Sequence, residues 1–334
     1  MKPGHRRLTS RVVGALAATS IAAAAACGKD SLPAGEVTPE VATMLEHLPG
    51  DARAVIGIHA ARVRAVPALA RLLEWLPEAP VPPVIAQSCG LDPRRGLDLA
   101  VAAIGGSGAP DSVFVAMKGS FRRDTIGSCI IELADRTGDA MTAVQDGSVT
   151  VYGARKERGH VYWPTRHIAV VAPQAEKPVE ALNQIAGQPG VRTDERLMSY
   201  VGRVRTRAAF WMAGPLLPEA QKRMTGFGPG VPALQGYFVT VDGDGDGRTV
   251  RATLGLRLAG EKEAEAAARA FREQRGALAA AAGDPRAAAV VKKLELAQGG
   301  SEVVLQVKLD PAETSLLIDM VAGLTGLPVA EPRR

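Results

Sequence analysis

The sequence predicts an α+β protein: two similar units, each a mostly antiparallel sheet with helices, arising by internal duplication and preceded by a signal peptide. Three observations carry this. Helix and strand signals alternate from Thr38 onward. Their order in residues 38–190 recurs in residues 191–327. The recurrence has a period of about 135–155 residues, too long for a solenoid repeat and suited to a domain-sized unit.

In the first unit Thr38 is an N-cap with Pro39 behind it, opening a helix that runs to Pro49-Gly50. Arg53–His59 reads as a short buried strand and Ala61–Leu76 as an amphipathic helix. After the Pro-rich loop Pro77–Pro83, strands Leu99–Ile104 and Val113–Lys118 are joined by the turn Gly105–Asp111. A helix follows over Arg122–Ala134. Val144 and Val149 flank Asp146-Gly147, a two-residue hairpin signal. Ile168–Ala172 is a strand and Val179–Ile185 a helix.

The second unit opens with a helix over Asp194–Val204 and the strand Ala208–Ala213, then strands Tyr237–Val241 and Val250–Leu258. In the last of these Val250, Ala252, Leu254, Leu256 and Leu258 alternate with Arg251, Thr253 and Arg257, which predicts a buried apolar face and a wet polar one. The helix from Glu261 to Leu278 has its acids early and Arg269, Arg272 and Arg275 late, complementing the helix dipole. Gly299-Gly300 turns a hairpin between Leu294–Leu296 and Val303–Leu309. The capping box Asp310-Pro311-Ala312-Glu313 starts a final helix that buries Leu317, Met320, Val321 and Leu324. Residues 328–334 form a tail.

The 334 residues carry a net charge of +5. Lys2, Arg6, Arg7 and Arg11 stand in an acid-free leader, so the rest of the chain is left with +1. A near-neutral body lacks the electrostatic footprint of phosphate-backbone binding, which excludes nucleic acid as a partner. With an apolar fraction of 46% the chain has ample material for a core, and three cysteines are too few for a disulfide scaffold.

The basic n-region Met1–Arg11, the apolar run Val12–Ala26 and Cys27 form an export signal. This run of fifteen residues falls short of the roughly 20 that a membrane span needs. Arg6-Arg7 is an ordinary basic pair, since Leu8-Thr9-Ser10 does not continue a twin-arginine motif. Cys27 after Ala24-Ala25-Ala26 resembles the lipobox of bacterial lipoprotein precursors. That resemblance implies cleavage before Cys27, acylation of its sulfur (a palmitate-type anchor), and residues 27–37 as a lipid-anchored tether. Gly28 in place of Asp favours the outer membrane. Cleavage at an Ala-x-Ala site, giving a soluble secreted protein, is the alternative. The chain also resembles lipoproteins of GC-rich Gram-negative bacteria such as myxobacteria, through Leu48-Pro49-Gly50-Asp51, Cys89-Gly90-Leu91-Asp92-Pro93 and Cys129. This likeness implies no reaction and no catalytic residues. In an oxidising compartment Cys89 and Cys129 are expected to pair; two buried thiols are the other reading.

The chemical motifs are few. Asp242, Asp244 and Asp246 with Gly247 match positions 1, 3, 5 and 6 of a calcium loop, but position 12 is Thr253 inside a strand, so the run reads as a hairpin tip with calcium a weak alternative. Ser107 in Gly105-Gly106-Ser107-Gly108-Ala109 suggests a nucleophile elbow, but Pro110-Asp111 leads into a strand where the elbow needs a helix. His160 and His167 lack a third zinc ligand. Arg203, Arg205 and Arg207 read as a solvated edge, and Trp75, Trp163 and Trp211 as core or interface. Nothing calls for a cofactor. The expectation is a non-catalytic cell-envelope lipoprotein, on the periplasmic side of a membrane, acting by binding or scaffolding. The alternatives are a carrier of a lipid or other apolar ligand and, at Ser107, a serine hydrolase.

Overall fold

A computed structural model describes residues 32, 35–73, 89, 96–106, 109–120, 122–137, 141–146, 149–154, 160–172, 190–216, 234–244, 247–282, 284–316 and 318. Its strands are β1 (Ala54–His59), β2 (Leu97–Gly106), β3 (Ala109–Gly119), β4 (Met141–Asp146), β5 (Val149–Ala154), β6 (His160–Tyr162), β7 (Ile168–Ala172), β8 (Phe210–Pro215), β9 (Leu234–Gly243), β10 (Val250–Leu258), β11 (Glu295–Gly299) and β12 (Glu302–Leu309). All lie in one antiparallel sheet, in the order β11-β12-β10-β9-β8-β1-β2-β3-β7-β6-β5-β4. The mixed α+β class expected from the sequence is therefore present. The two expected units do not close separate sheets: β1 pairs with β8, so the halves meet at its centre. Outward from that pair the first three strands follow in chain order on both sides.

Helices precede both central strands. In α1 (Pro39–Leu45) the Thr38 hydroxyl accepts from the Val41 N–H, and in α4 (Glu195–Val201, after α2 and α3 below) the Asp194 carboxylate accepts from the Leu197 N–H. Both helices are shorter than expected. The Leu48 carbonyl is taken by the Val191 N–H, and the chain beyond Gly202 turns to bond with Glu36, so neither helix continues. α1 and α4 bury Val41, Met44, Leu45, Leu197, Tyr200 and Val201 on one face of the sheet, over Val55, Leu99, Val101, Phe114, Trp211 and Phe238.

The expected helix Ala61–Leu76 is broken. α2 covers only Ala60–Ala65, Val66 is extended, and a 3-10 turn spans Pro67–Leu73. Pro67 explains this, because proline forces its predecessor out of the α region. α3 runs Arg123–Thr137, α5 Glu261–Ala281 and α6 Pro285–Lys293. The final capping box forms as expected: the Asp310 N–H donates to Glu313 Oε2 (3.0 Å) and the Glu313 N–H to Asp310 Oδ1 (2.8 Å). The expected helix Val179–Ile185 and the side chains of Leu317, Met320, Val321 and Leu324 lie outside the described residues.

The expected faces of β10 hold at its ends, where Val250 and Leu258 are buried, and are reversed in its middle. There the polar face is the covered one: Thr253 is buried, and Gly255 lies beneath the ring of Phe238. Leu254, on the apolar face, is 37% exposed. Polar residues can sit on the covered face because their partners are there too. Glu302, buried on β12, receives Arg203 (2.8 and 2.9 Å) on one carboxylate oxygen and Arg257 (2.9 and 3.2 Å) on the other. Arg257 also stacks over Tyr200 at 4.5 Å and donates to the Ser199 hydroxyl at 2.8 Å; Arg203 lies over Phe238 at 5.6 Å. Arg203 is thus part of an interior ion cluster, not the solvated edge the sequence suggested.

At the centre of the sheet Gly57 faces Trp211 across the β1–β8 pair. A Cβ on Gly57 would stand 2.0–2.3 Å from the indole atoms. Gly57→Ala is expected to destabilise the fold by about 1–3 kcal/mol through overpacking, read as a lower urea midpoint. An unchanged midpoint would show that the fully buried Trp211 can shift, against the packing described.

Candidate functional site

The site is built by the face of the sheet opposite α1 and α4. A half-solvated antiparallel sheet ordinarily carries polar residues on its open face. Here that face is apolar. Register places Leu296, Leu305, Leu254, Val239, Met212, Ile56, Ala102 and Val115 side by side, one from each of eight consecutive strands. At roughly 4.8 Å between strands the row is about 34 Å long. Apart from Leu254, which is exposed, every member is partly buried.

Two rims turn this face into a trough. On one side α2 and the 3-10 turn set Ala60, Val63, Val66 and Leu69 against Ile58, Ala100, Met117 and Val241. On the other α5 sets Ala264 and Ala268 against Leu256, Leu258 and Val303. Burial raises the Tyr237 phenol above its ordinary range, in keeping with a dry floor. Sequence reasoning missed the trough. The alternation in β10 was its one local trace, and the remaining members come from strands up to 249 residues apart whose register the sequence does not state.

The sequence-nominated residues fall elsewhere. Asp242 accepts from the N–H groups of Ala209 and Gly243 and pairs with Arg62 at 3.2 Å. Asp244 accepts from the Thr249 hydroxyl at 3.1 Å and lies 3.5 Å from Arg251 and 3.6 Å from Lys308. Both carboxylates are occupied by the protein's own donors, and Asp246 lies outside the described residues. No cluster of three or more His, Cys, Asp or Glu among the described residues is arranged to hold a metal ion. Cys27 and Ser107 also lie outside the described residues, but β3 begins at Ala109, so a strand and not a helix follows Ser107. Cys89 and Cys129 form a disulfide with a Cα–Cα distance of 5.6 Å. His167 is exposed, and Trp163 and Trp211 are in the core as expected.

Lys293, at the end of α6, helps line a cleft of about 480 Å³ with Thr249, Arg251, Glu295, Gln306 and Lys308. Its cations already have partners: Glu313 takes Lys293 at 2.6 Å and Asp244 takes the other two.

His59 caps the end of β1 with its Nδ1 buried and unbonded. Burial holds its pKa below the ordinary value of 6.5, against the pull of Glu40, Asp242 and Asp98 and with that of Arg62. Burial lowers His47 likewise. A histidine with a depressed folded-state pKa favours the neutral form, so protonation favours unfolding. Stability is therefore expected to fall as pH drops from the unfolded value near 6.5 toward the lower folded values. His59→Gln should remove part of that fall in urea titrations at pH 7.5 and 5.5; an unchanged pH dependence would contradict the assignment.

No protein-family model matches the chain, and no curated protein matches it. Among solved structures it is similar to TP0453 in three crystal forms. Form IV gives a TM-score of 0.49 at 13% identity, over 83% of this chain and 96% of that one. Form III gives 0.47 at 12% over 85% and 99%, and form I gives 0.46 at 12% over 88% and 99%. Among the described residues no helix is long and apolar enough to cross a membrane.

Proposed function

We propose that the chain is an exported cell-envelope protein, anchored through a lipid on Cys27, that binds an elongated apolar ligand such as an acyl chain in the sheet trough without catalysing a reaction. The observation that carries this is the row of eight apolar side chains left partly open between two helical rims. The row is longer than an extended fatty acyl chain, and a rimmed trough suits a linear ligand better than a flat protein partner. The basic leader, the apolar run and the lipobox-like Cys27 support the anchor and a periplasmic site, and Gly28 favours the outer membrane. The shared strand order on either side of β1 and β8, with a capped helix before each, supports an origin by duplication of residues 38–190 and 191–327.

The test is the intact mass of the protein extracted in mild detergent from a lipoprotein-processing bacterium. Denatured, it should equal residues 27–334 plus a diacylglycerol-type adduct; native, it should show a further apolar species. An unmodified chain would remove the anchor. A native mass equal to the denatured one would remove the ligand.

A further inference from the structure

We infer that the anchored protein stands on the bilayer by the end of the sheet carrying the β11–β12 turn, with the Asp242–Gly247 hairpin pointing away from the lipid. This rests on the anchor proposed above. The supporting observation is that the described residues of the expected tether, Leu32 and 35–37, pack on the body. Glu36 forms a parallel bridge with Arg205; its N–H donates to the Val204 carbonyl, and its own carbonyl accepts from the Thr206 N–H, both at 2.9 Å. Its carboxylate pairs with Arg207, and the Thr206 hydroxyl accepts from the Thr38 N–H at 2.9 Å. Gly35 lies against the backbone of Gly202, where a Cβ would come 2.1 Å from the carbonyl oxygen. Leu32 then packs on Gly299, its Cγ 3.2 Å from the position a Cβ would take there, and joins the main core.

From Leu32 back to Cys27 five peptide units remain, at most about 18 Å of chain. The turn is therefore held close to any lipid on Cys27. Gly299 lies opposite Glu302, which pairs with Arg257. From there the seven residues to Val250 carry β10 about 23 Å away, and the hairpin extends farther. A body of net charge +1 has no basic excess to draw that far end down onto anionic lipid.

The test uses the acylated full-length mature protein on vesicles of phosphatidylethanolamine and phosphatidylglycerol containing a headgroup-labelled energy acceptor. A donor dye is attached to a single introduced thiol, Ser301→Cys at the turn or Arg248→Cys at the far hairpin; the disulfide keeps Cys89 and Cys129 from reacting. Transfer should be severalfold stronger from position 301 than from position 248, and Leu32→Asp should bring the two together. Equal transfer from the two positions, stronger transfer from 248, or no effect of Leu32→Asp overturns the orientation. A denatured mass lacking the acyl adduct overturns the anchor instead, so the two failures are distinguishable.

Discussion

Glu302→Ala is expected to lower the unfolding free energy by about 3–5 kcal/mol, the range for removing one partner of a buried ion cluster. Its side chain is 10% exposed, and those of Arg203 and Arg257 are 25% and 21% exposed. Deleting the carboxylate leaves two guanidinium groups facing a site with no counter-charge, with only ring stacking and the Ser199 contacts left to hold them. The cluster's net worth relative to an apolar core is a separate quantity and can be near zero, because both signs of charge were desolvated to build it. A urea series on the alanine and glutamine variants reads the effect. A loss under about 1 kcal/mol would place the cluster with ordinary surface ion pairs and contradict the burial of this face.

Opening the Cys89–Cys129 bond should cost about 4 kcal/mol on the chain-entropy account, for partners 40 residues apart. The bond ties the segment ahead of β2 to α3, so it encloses the whole β2–β3 hairpin. In the unfolded chain that hairpin is absent and the loop is free to expand once cut, which is where the stabilisation originates. The double variant Cys89→Ser/Cys129→Ser should therefore unfold at clearly lower urea than the oxidised protein and match the reduced protein. Equal midpoints for oxidised and reduced protein would mean that the unfolded loop is already constrained without the bond.

Much of the fold was legible in local signals. Thr38-Pro39 and Asp310-Pro311-Ala312-Glu313 are helix starts with a capping hydrogen bond behind each, and the structure makes those bonds. Gly299-Gly300 turns the hairpin it announces, and Asp146 pairs with Val149 in the hairpin announced by Asp146-Gly147. The cysteine pairing was expected from two thiols in a chain read as exported, and the bond is present. What the sequence could not show was anything depending on non-local partners. In β10 the pattern of Arg251, Thr253 and Arg257 looked like a solvated face, because nothing nearby reveals that Glu302 and Tyr200 lie over it. Ala61–Leu76 differs for another reason: its apolar spacing is helical, but Pro67 holds Val66 extended and breaks the run. The trough was hidden because it exists only once eight strands are in register.

Whether the apolar row binds a ligand or is an incidental exposed patch is decided by titrating the mature chain, made without its lipid as Cys27→Ser, with the fluorescent fatty acid cis-parinaric acid. Saturable binding is expected, and Leu254→Glu and Met212→Glu should each weaken it at least about tenfold, or about 1.4 kcal/mol. The urea midpoint of Leu254→Glu should barely move, since a residue already 37% exposed contributes little to the core. Absence of saturable binding, or binding that Leu254→Glu leaves intact, would contradict the proposed binding.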